Sequence, residues 1–157
     1  MPYYVRKPTR ISGFDYSSVN YYFVTICCHN KKCIFGSVNK LNDFGKIARE
    51  DLQNLAAHYR HIQVDSFVIM PNHVHAIIAI EESEENSKVS LSTVIGQYKS
   101  GVSRKIRQIK HSTEIWQRSF HDHIIRNQRE YEKIWEYVTY NSQKWESDCF
   151  YPGEQDE

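Results

Sequence analysis

The chain has 157 residues, 40% of them hydrophobic and 25% charged, with a formal net charge of +1 at neutral pH. That composition describes one globular domain large enough to bury a core, and excludes disordered, fibrous and disulfide-stapled classes. No apolar run approaches the roughly eighteen residues of a membrane helix and the N-terminus has no signal-peptide core, so the expectation is a cytoplasmic protein with no membrane partner.

Residues 1–18 read as an irregular basic arm, with Arg6, Lys7 and Arg10 punctuated by Pro8 and Gly13. Asn20–Cys28, rich in aromatic and β-branched residues, reads as a strand. Its adjacent Cys27 and Cys28 point to opposite faces and make a poor disulfide framework. A zinc site from either of them with His29 and Cys33 is conceivable, but no second ligand pair at finger spacing follows, so reduced thiols are expected. A helix is expected over 42–59: Asn42 can cap it, and Phe44, Ile47, Ala48, Leu52, Leu55 and Tyr59 recur at helical spacing. Val64–Met70 is a second strand closed by Pro71. His73–Ile80 is a third, apolar on both faces after its histidines, as a covered central strand should be.

The small net charge hides segregation. Four glutamates crowd 81–85 within a surface loop spanning 81–90, whereas 86–113 holds six basic residues and no acid. Within that region a helix from about Leu91 to Lys110 buries a stripe of Leu91, Val94, Ile95, Tyr98, Val102, Ile106 and Ile109. Lys99, Arg104, Arg107 and Lys110 fall outside the stripe. Such a face is either simply solvated or phosphate-binding. Trp116–Arg126 reads as a fourth strand. Asn127-x-x-Glu130 resembles a capping box opening a last helix to about Asn141, and 146–157 is an acidic tail. The order strand, helix, strand, strand, helix, strand, helix, with a hairpin at Pro71-Asn72, predicts a single α+β domain over 1–157. Its sheet should be antiparallel and ferredoxin-like, with helices packed on it and one extra C-terminal helix.

Two features carry chemistry. His73 and His75 alternate onto one face of a strand, within reach of one small cation, and need one or two more donors. Two partly buried packing histidines are the bland alternative. On the last helix, Tyr131 falls in the middle of the apolar stripe and Tyr140 nearly opposite it. Tyr137 lies on the flank, with Asn141 one i,i+4 step beyond. A flank position can meet a sheet-borne site while its hydroxyl faces a cleft, so Tyr137 is the best placed of the three as a nucleophile.

These pieces coincide with a family. Met70-Pro71-Asn72-His73-Val74-His75, Trp116-Gln117-x-x-Phe120-x-Asp122-His123-x-Ile125-Arg126 and Tyr137-Val138-x-x-Asn141 stand in order. Gly13-x-Asp15-Tyr16, the strand Tyr22-Phe23-Val24-Thr25-Ile26-Cys27 and Lys99-Ser100 join them. Over roughly residues 6–145 the chain resembles the REP-associated tyrosine transposases of the HUH single-tyrosine transposase group.

The resemblance implies the HUH endonuclease fold, with His73, His75 and Asn141 facing a divalent metal, Mg²⁺ or Mn²⁺, and Tyr137 attacking a DNA phosphate. The link formed would be to a 5′ end, and the substrate single-stranded or hairpin DNA. Nucleic-acid contacts are expected from Arg6, Lys7, Arg10, Lys99, Arg104, Arg107, Lys110 and Arg126. Relatives usually carry proline after the asparagine, where this chain has Ser142. For Asp122 and His123 a structural or phosphate-contacting role fits as well as any other. Monomer and homodimer are both open. Two alternatives stand beside the transposase: a hairpin-DNA-binding module without chemistry, and a metal phosphodiesterase in which water attacks.

Overall fold

A computed structural model describes residues 19–81, 89–111 and 114–147. The basic arm, most of the glutamate-rich loop and the end of the acidic tail lie outside the described residues. Six strands and four helices follow one another: β1 (Val19–Cys27), β2 (Gly36–Ser37), β3 (Lys40–Leu41), α1 (Asp43–Gln53), α2 (Leu55–His58), β4 (Ile62–Met70), β5 (His73–Glu81), α3 (Leu91–Ile109), β6 (His121–Ile125) and α4 (Gln128–Tyr140). A 3₁₀ turn over Asn141–Ser147 continues from α4. The main sheet has the order β4-β5-β1-β6 with every pair antiparallel, which is the expected ferredoxin-like arrangement. No helix among the described residues is long and apolar enough to cross a membrane.

Strand alternation divides the molecule into two apolar layers. Val24 and Ile26 of β1 and Val74, Ala76 and Ile78 of β5 point to one side. There they meet Ala48 and Leu52 of α1 and Val94, Ile95, Val102 and Ile106 of α3. Tyr21 of β1 and Ile77 and Ala79 of β5 point to the other, where Tyr131 and Val138 of α4 close a smaller cluster. Among the described helices the extra one therefore packs alone on the second face, and that face carries His73 and His75.

Several boundaries differ from the sequence expectation. The helix expected over 42–59 is interrupted at Asn54, where the backbone N–H returns to the carbonyls of Glu50 and Leu52 and a separate short turn begins. The fourth strand is shorter than Trp116–Arg126: Trp116 makes one bridge to Cys28, and pairing resumes only at His121, after Ser119 adopts a positive φ of 64°. The small β2–β3 hairpin was not expected from the sequence. Asn42 caps its helix as expected, its Oδ1 accepting from Gly45 N at 2.9 Å; at Asn127 the cap forms, with Oδ1 accepting from Glu130 N at 2.8 Å, while the Glu130 carboxylate, the other half of a capping box, pairs with His123.

The hairpin helps to hold the turn that precedes the histidines. Phe35 N–H donates to the Pro71 carbonyl at 3.1 Å, and Cys28 N–H to that of Asn72 at 2.9 Å. Phe35 is itself pressed by α1: a Cβ on Gly45 would lie 2.4 Å from the Phe35 carbonyl oxygen. Alanine is ordinarily the better helix former by up to about 1 kcal/mol. Here the backbone clash outweighs that gain, and Gly45→Ala is expected to destabilise by roughly 1–3 kcal/mol, measured as a lower denaturation midpoint at unchanged slope.

Candidate active site

The site is built on the β1–β5 pairing, in which Cys27 faces His73 and Thr25 faces His75. Both imidazoles are almost fully buried. Their Nε2 atoms approach to 3.1 Å, while each Nδ1 is held from behind. Asn72 Nδ2 donates to the Lys31 carbonyl at 3.2 Å, which orients the amide so that its Oδ1 accepts from His73 Nδ1 at 2.8 Å. His73 Nε2 is thereby left as a lone pair directed at His75.

The partner of His75 Nδ1 is the Thr25 hydroxyl, at 2.9 Å. A hydroxyl can donate or accept, so Thr25 supports either tautomer of His75, including the one whose Nε2 lone pair also faces inward. Burial, reinforced by the neighbouring His73, holds the His75 pKa well below the usual histidine value, so this ring is neutral at neutral pH.

Tyr137 reaches this pair from α4 within the same chain. Its hydroxyl lies 3.5 Å from His75 Nε2, and its ring stands edge-on to that of Phe23, which stacks on His75 at 5.2 Å. The tyrosine side chain is 43% exposed. The other two tyrosines of the helix are differently spent. Tyr131 is buried and donates to Asp65 at 3.0 Å, and Tyr140 is 48% exposed. One turn beyond Tyr137, Asn141 is only 3% exposed, yet its Oδ1 has no hydrogen-bond partner. The 3₁₀ turn then brings the Trp145 ring to 5.9 Å from that of His73. The α-helix stops at Tyr140, and Asn141 and Ser142 open the 3₁₀ turn that follows.

These donors suit a divalent cation. Two nitrogens sharing one ion at about 2.0–2.1 Å would lie about 2.9–3.4 Å apart, and the observed separation falls in that interval. An orphaned buried carbonyl oxygen costs roughly 1–3 kcal/mol, and a cation would satisfy it. Among the described residues no group of three His, Cys, Asp or Glu side chains gathers.

The basic residues do not gather around the pair. Arg6, Lys7 and Arg10 lie outside the described residues. Lys99, Arg104, Arg107 and Lys110 ride on α3, which packs on the opposite face of the sheet, and Arg126 follows β6. Lys99 is partly buried, which lowers its pKa, and its Nζ donates to the carbonyls of Gln117 and Ser119. His123 pairs with Glu130 on the first turn of α4 and so joins the edge strand to the helix bearing Tyr137. Thr25, Asn72, Phe23 and Trp145 were not singled out for the site from the sequence. Alternation places Thr25 on the inward face of its strand, but only the register shows which histidine it meets.

A ferredoxin-like sheet with paired imidazoles and a tyrosine-bearing helix on one face defines a transposase-type domain. The chain belongs to the IS200-like transposase family, whose profile matches residues 15–141. It is 32% identical to an uncharacterised protein of Haemophilus influenzae over 167 aligned positions, covering 93% of each chain. It is 24% identical to a second H. influenzae protein, proposed by name to be a REP-associated tyrosine transposase, over 83% of this chain and 74% of the other.

Among solved structures, a REP-associated tyrosine transposase bound to a REP hairpin superposes with a TM-score of 0.56 at 20% identity, covering 80% of this chain and 67% of that one. A protein proposed to be a transposase from Deinococcus radiodurans R1 gives 0.52 at 10% identity, covering 76% and 88%. The two superpositions bear out the fold. The family match and the named relative bear out the resemblance read from the motifs.

Removing the support behind His75 tests this geometry. Thr25→Val is expected to weaken Mn²⁺ binding by about 10–100-fold, the usual cost of losing such a partner, whereas Thr25→Ser should retain it. Calorimetric titration of both variants, with thermal unfolding as a control for folding, is the measurement.

Proposed function

We propose that this protein is a metal-dependent DNA nickase and strand transferase that acts on hairpin DNA of the REP palindrome type, with Tyr137 as the nucleophile. The observation that carries the reading is the approach of the Tyr137 hydroxyl to within 3.5 Å of His75 Nε2, one member of a buried imidazole pair. The names of its relatives supply the substrate class.

His73, His75 and Asn141 would hold the divalent ion, Mg²⁺ or Mn²⁺. When bound, it supplies Lewis-acid polarisation of a non-bridging phosphate oxygen, with its full double charge undiminished because all three protein ligands are neutral. The rest of the chemistry falls to the chain. Phe23 and His75 fix the plane of the Tyr137 ring, so its hydroxyl is presented in one direction and little orientational freedom is lost on attack.

The phenol loses its proton to solvent as its oxygen bonds to phosphorus. The bond from phosphorus to the 3′ oxygen breaks, and that oxygen takes up a proton. The products are a 5′-phosphotyrosine and a free 3′-hydroxyl. Attack by an acceptor 3′-hydroxyl reverses the sequence and releases Tyr137, so joining needs no nucleotide cofactor.

Incubation of a labelled hairpin carrying an unpaired flank with Mn²⁺ is expected to yield a protein–DNA adduct that survives denaturant. Tyr137→Phe should abolish the adduct and slow cleavage by on the order of 10⁴-fold or more. Cleavage that persists in Tyr137→Phe would instead mean attack by water, and binding of the hairpin by wild type without cleavage would mean a binding module.

A further inference from the structure

On the α3 side of the molecule an open groove of about 900 Å³ runs between the turn after β1, the flank of α3 and the segment leading to β6. Three exposed cations from those three segments converge on it: Lys31, Arg107 and Arg118. The carboxylate in its wall, Glu114, is turned onto His29 at 2.6 Å. Convergence of like charges from separate elements is not what a merely solvated helix face requires, and it focuses a positive potential into the cleft. Arg118 is also held in place: Lys99 Nζ binds the carbonyls on either side of it, those of Gln117 and Ser119, at 2.8 and 2.9 Å. Arg104 and Lys110 take no part, since Arg104 lines a separate cleft of about 380 Å³ beside Asp51.

Among the described residues that line the groove, the two rings, His29 and Trp116, are already engaged, His29 by Glu114. Ile115 is buried, and the Trp116 ring is spent on Phe35 at 5.4 Å and Tyr98 at 5.9 Å, with Nε1 donating to the Lys99 carbonyl. Unpaired strands are held by stacking on exposed rings, whereas a duplex offers phosphates. The exposed rings Tyr137 and Tyr140 belong instead to α4, which covers the other face of the sheet. The two regions adjoin at Asn72, whose Nδ2 holds the Lys31 carbonyl at the groove rim while its Oδ1 holds His73.

We infer that this groove seats the sugar–phosphate backbone of the paired stem of a DNA hairpin, leaving the unpaired flank to pass around the end of β5 to Tyr137. The inference rests on the substrate proposed above and assigns it a docking surface. Phosphate contacts of this kind position the DNA and do not read its sequence.

The test compares wild type with the triple variant Lys31→Ala, Arg107→Ala, Arg118→Ala, none of which touches the imidazole pair. Anisotropy titrations use two labelled probes, a hairpin with an unpaired flank and the flank alone as a single strand. Loss of three phosphate contacts is expected to weaken hairpin binding by at least about tenfold near 0.1 M salt. The dependence of log K on log[salt] should become shallower by roughly two to three. Affinity for the flank alone and for Mn²⁺ should be unchanged. Hairpin affinity and salt slope equal to wild type would overturn the groove while leaving the adduct chemistry intact. An equal loss on the single strand would overturn the assignment to a paired stem. A wild type that binds the hairpin with this salt dependence yet forms no adduct would sink the nickase reading and leave the groove standing.

Discussion

The chemistry-bearing face depends on one cross-strand register, with Thr25 opposite His75 and Cys27 opposite His73. A slip of one residue between β1 and β5 would separate Thr25 from the imidazole it supports, and on either strand it would turn the outward set inward. The polar contacts are too weak to fix that register, at about 1 kcal/mol net for a typical hydrogen bond. The opposite side of the same strands decides it. Val24, Ile26, Val74 and Ile78 are fully buried against α1 and α3, and each such side chain contributes about 1.5–3 kcal/mol. The hydrophobic layer selects the pairing and the imidazole layer inherits it.

On the inherited face, polar groups are arranged for something besides stability. Two buried imidazole nitrogens face each other, and the buried amide oxygen of Asn141 accepts nothing. An interior optimised only for folding would replace these groups with aliphatic ones and gain by it. Departures of this kind from an all-apolar interior are what functional sites show. The neutrality of His75 is part of the same arrangement: burial and its neighbour both disfavour its protonated form, so its lone pair stays available.

The fold was legible because its periodicities are clean: β5 is apolar on both sides after its histidines, and the α3 stripe stands apart from its charges. The failures lie where local pattern and tertiary contact diverge. Residues 116–120 have strand-like composition, but Lys99 ties the Gln117 and Ser119 carbonyls to a helix, and the segment cannot join the ladder until His121. The basic residues of α3 read as one face, either solvated or phosphate-binding, yet helical rotation and the position of the 114–119 segment set Lys99 and Arg107 in one cleft and Arg104 in another. The pairing of Thr25 with His75 depends on a register across 50 residues of chain, and the orientation of the Asn72 amide toward His73 on a bond to the Lys31 carbonyl 41 residues away, which no local window contains.

The tyrosines of α4 show how a buried residue determines what an exposed one can do. A turn of the helix by one position, about 100°, would carry Tyr137 away and leave Glu136 or Val138 facing the imidazoles. Tyr131 opposes such a rotation, since its ring packs edge-on against Tyr21 at 5.7 Å while its hydroxyl is bound to Asp65, the residue left out of register at the irregularity in β4. Val138, fully buried, holds the next turn. With both inward positions committed, Tyr137 can remain half in solvent without losing its direction. Its hydroxyl is therefore reachable by a phosphate too bulky to enter a closed pocket. Packing residues about two turns apart supply the aim, and the solvent-facing flank supplies the access.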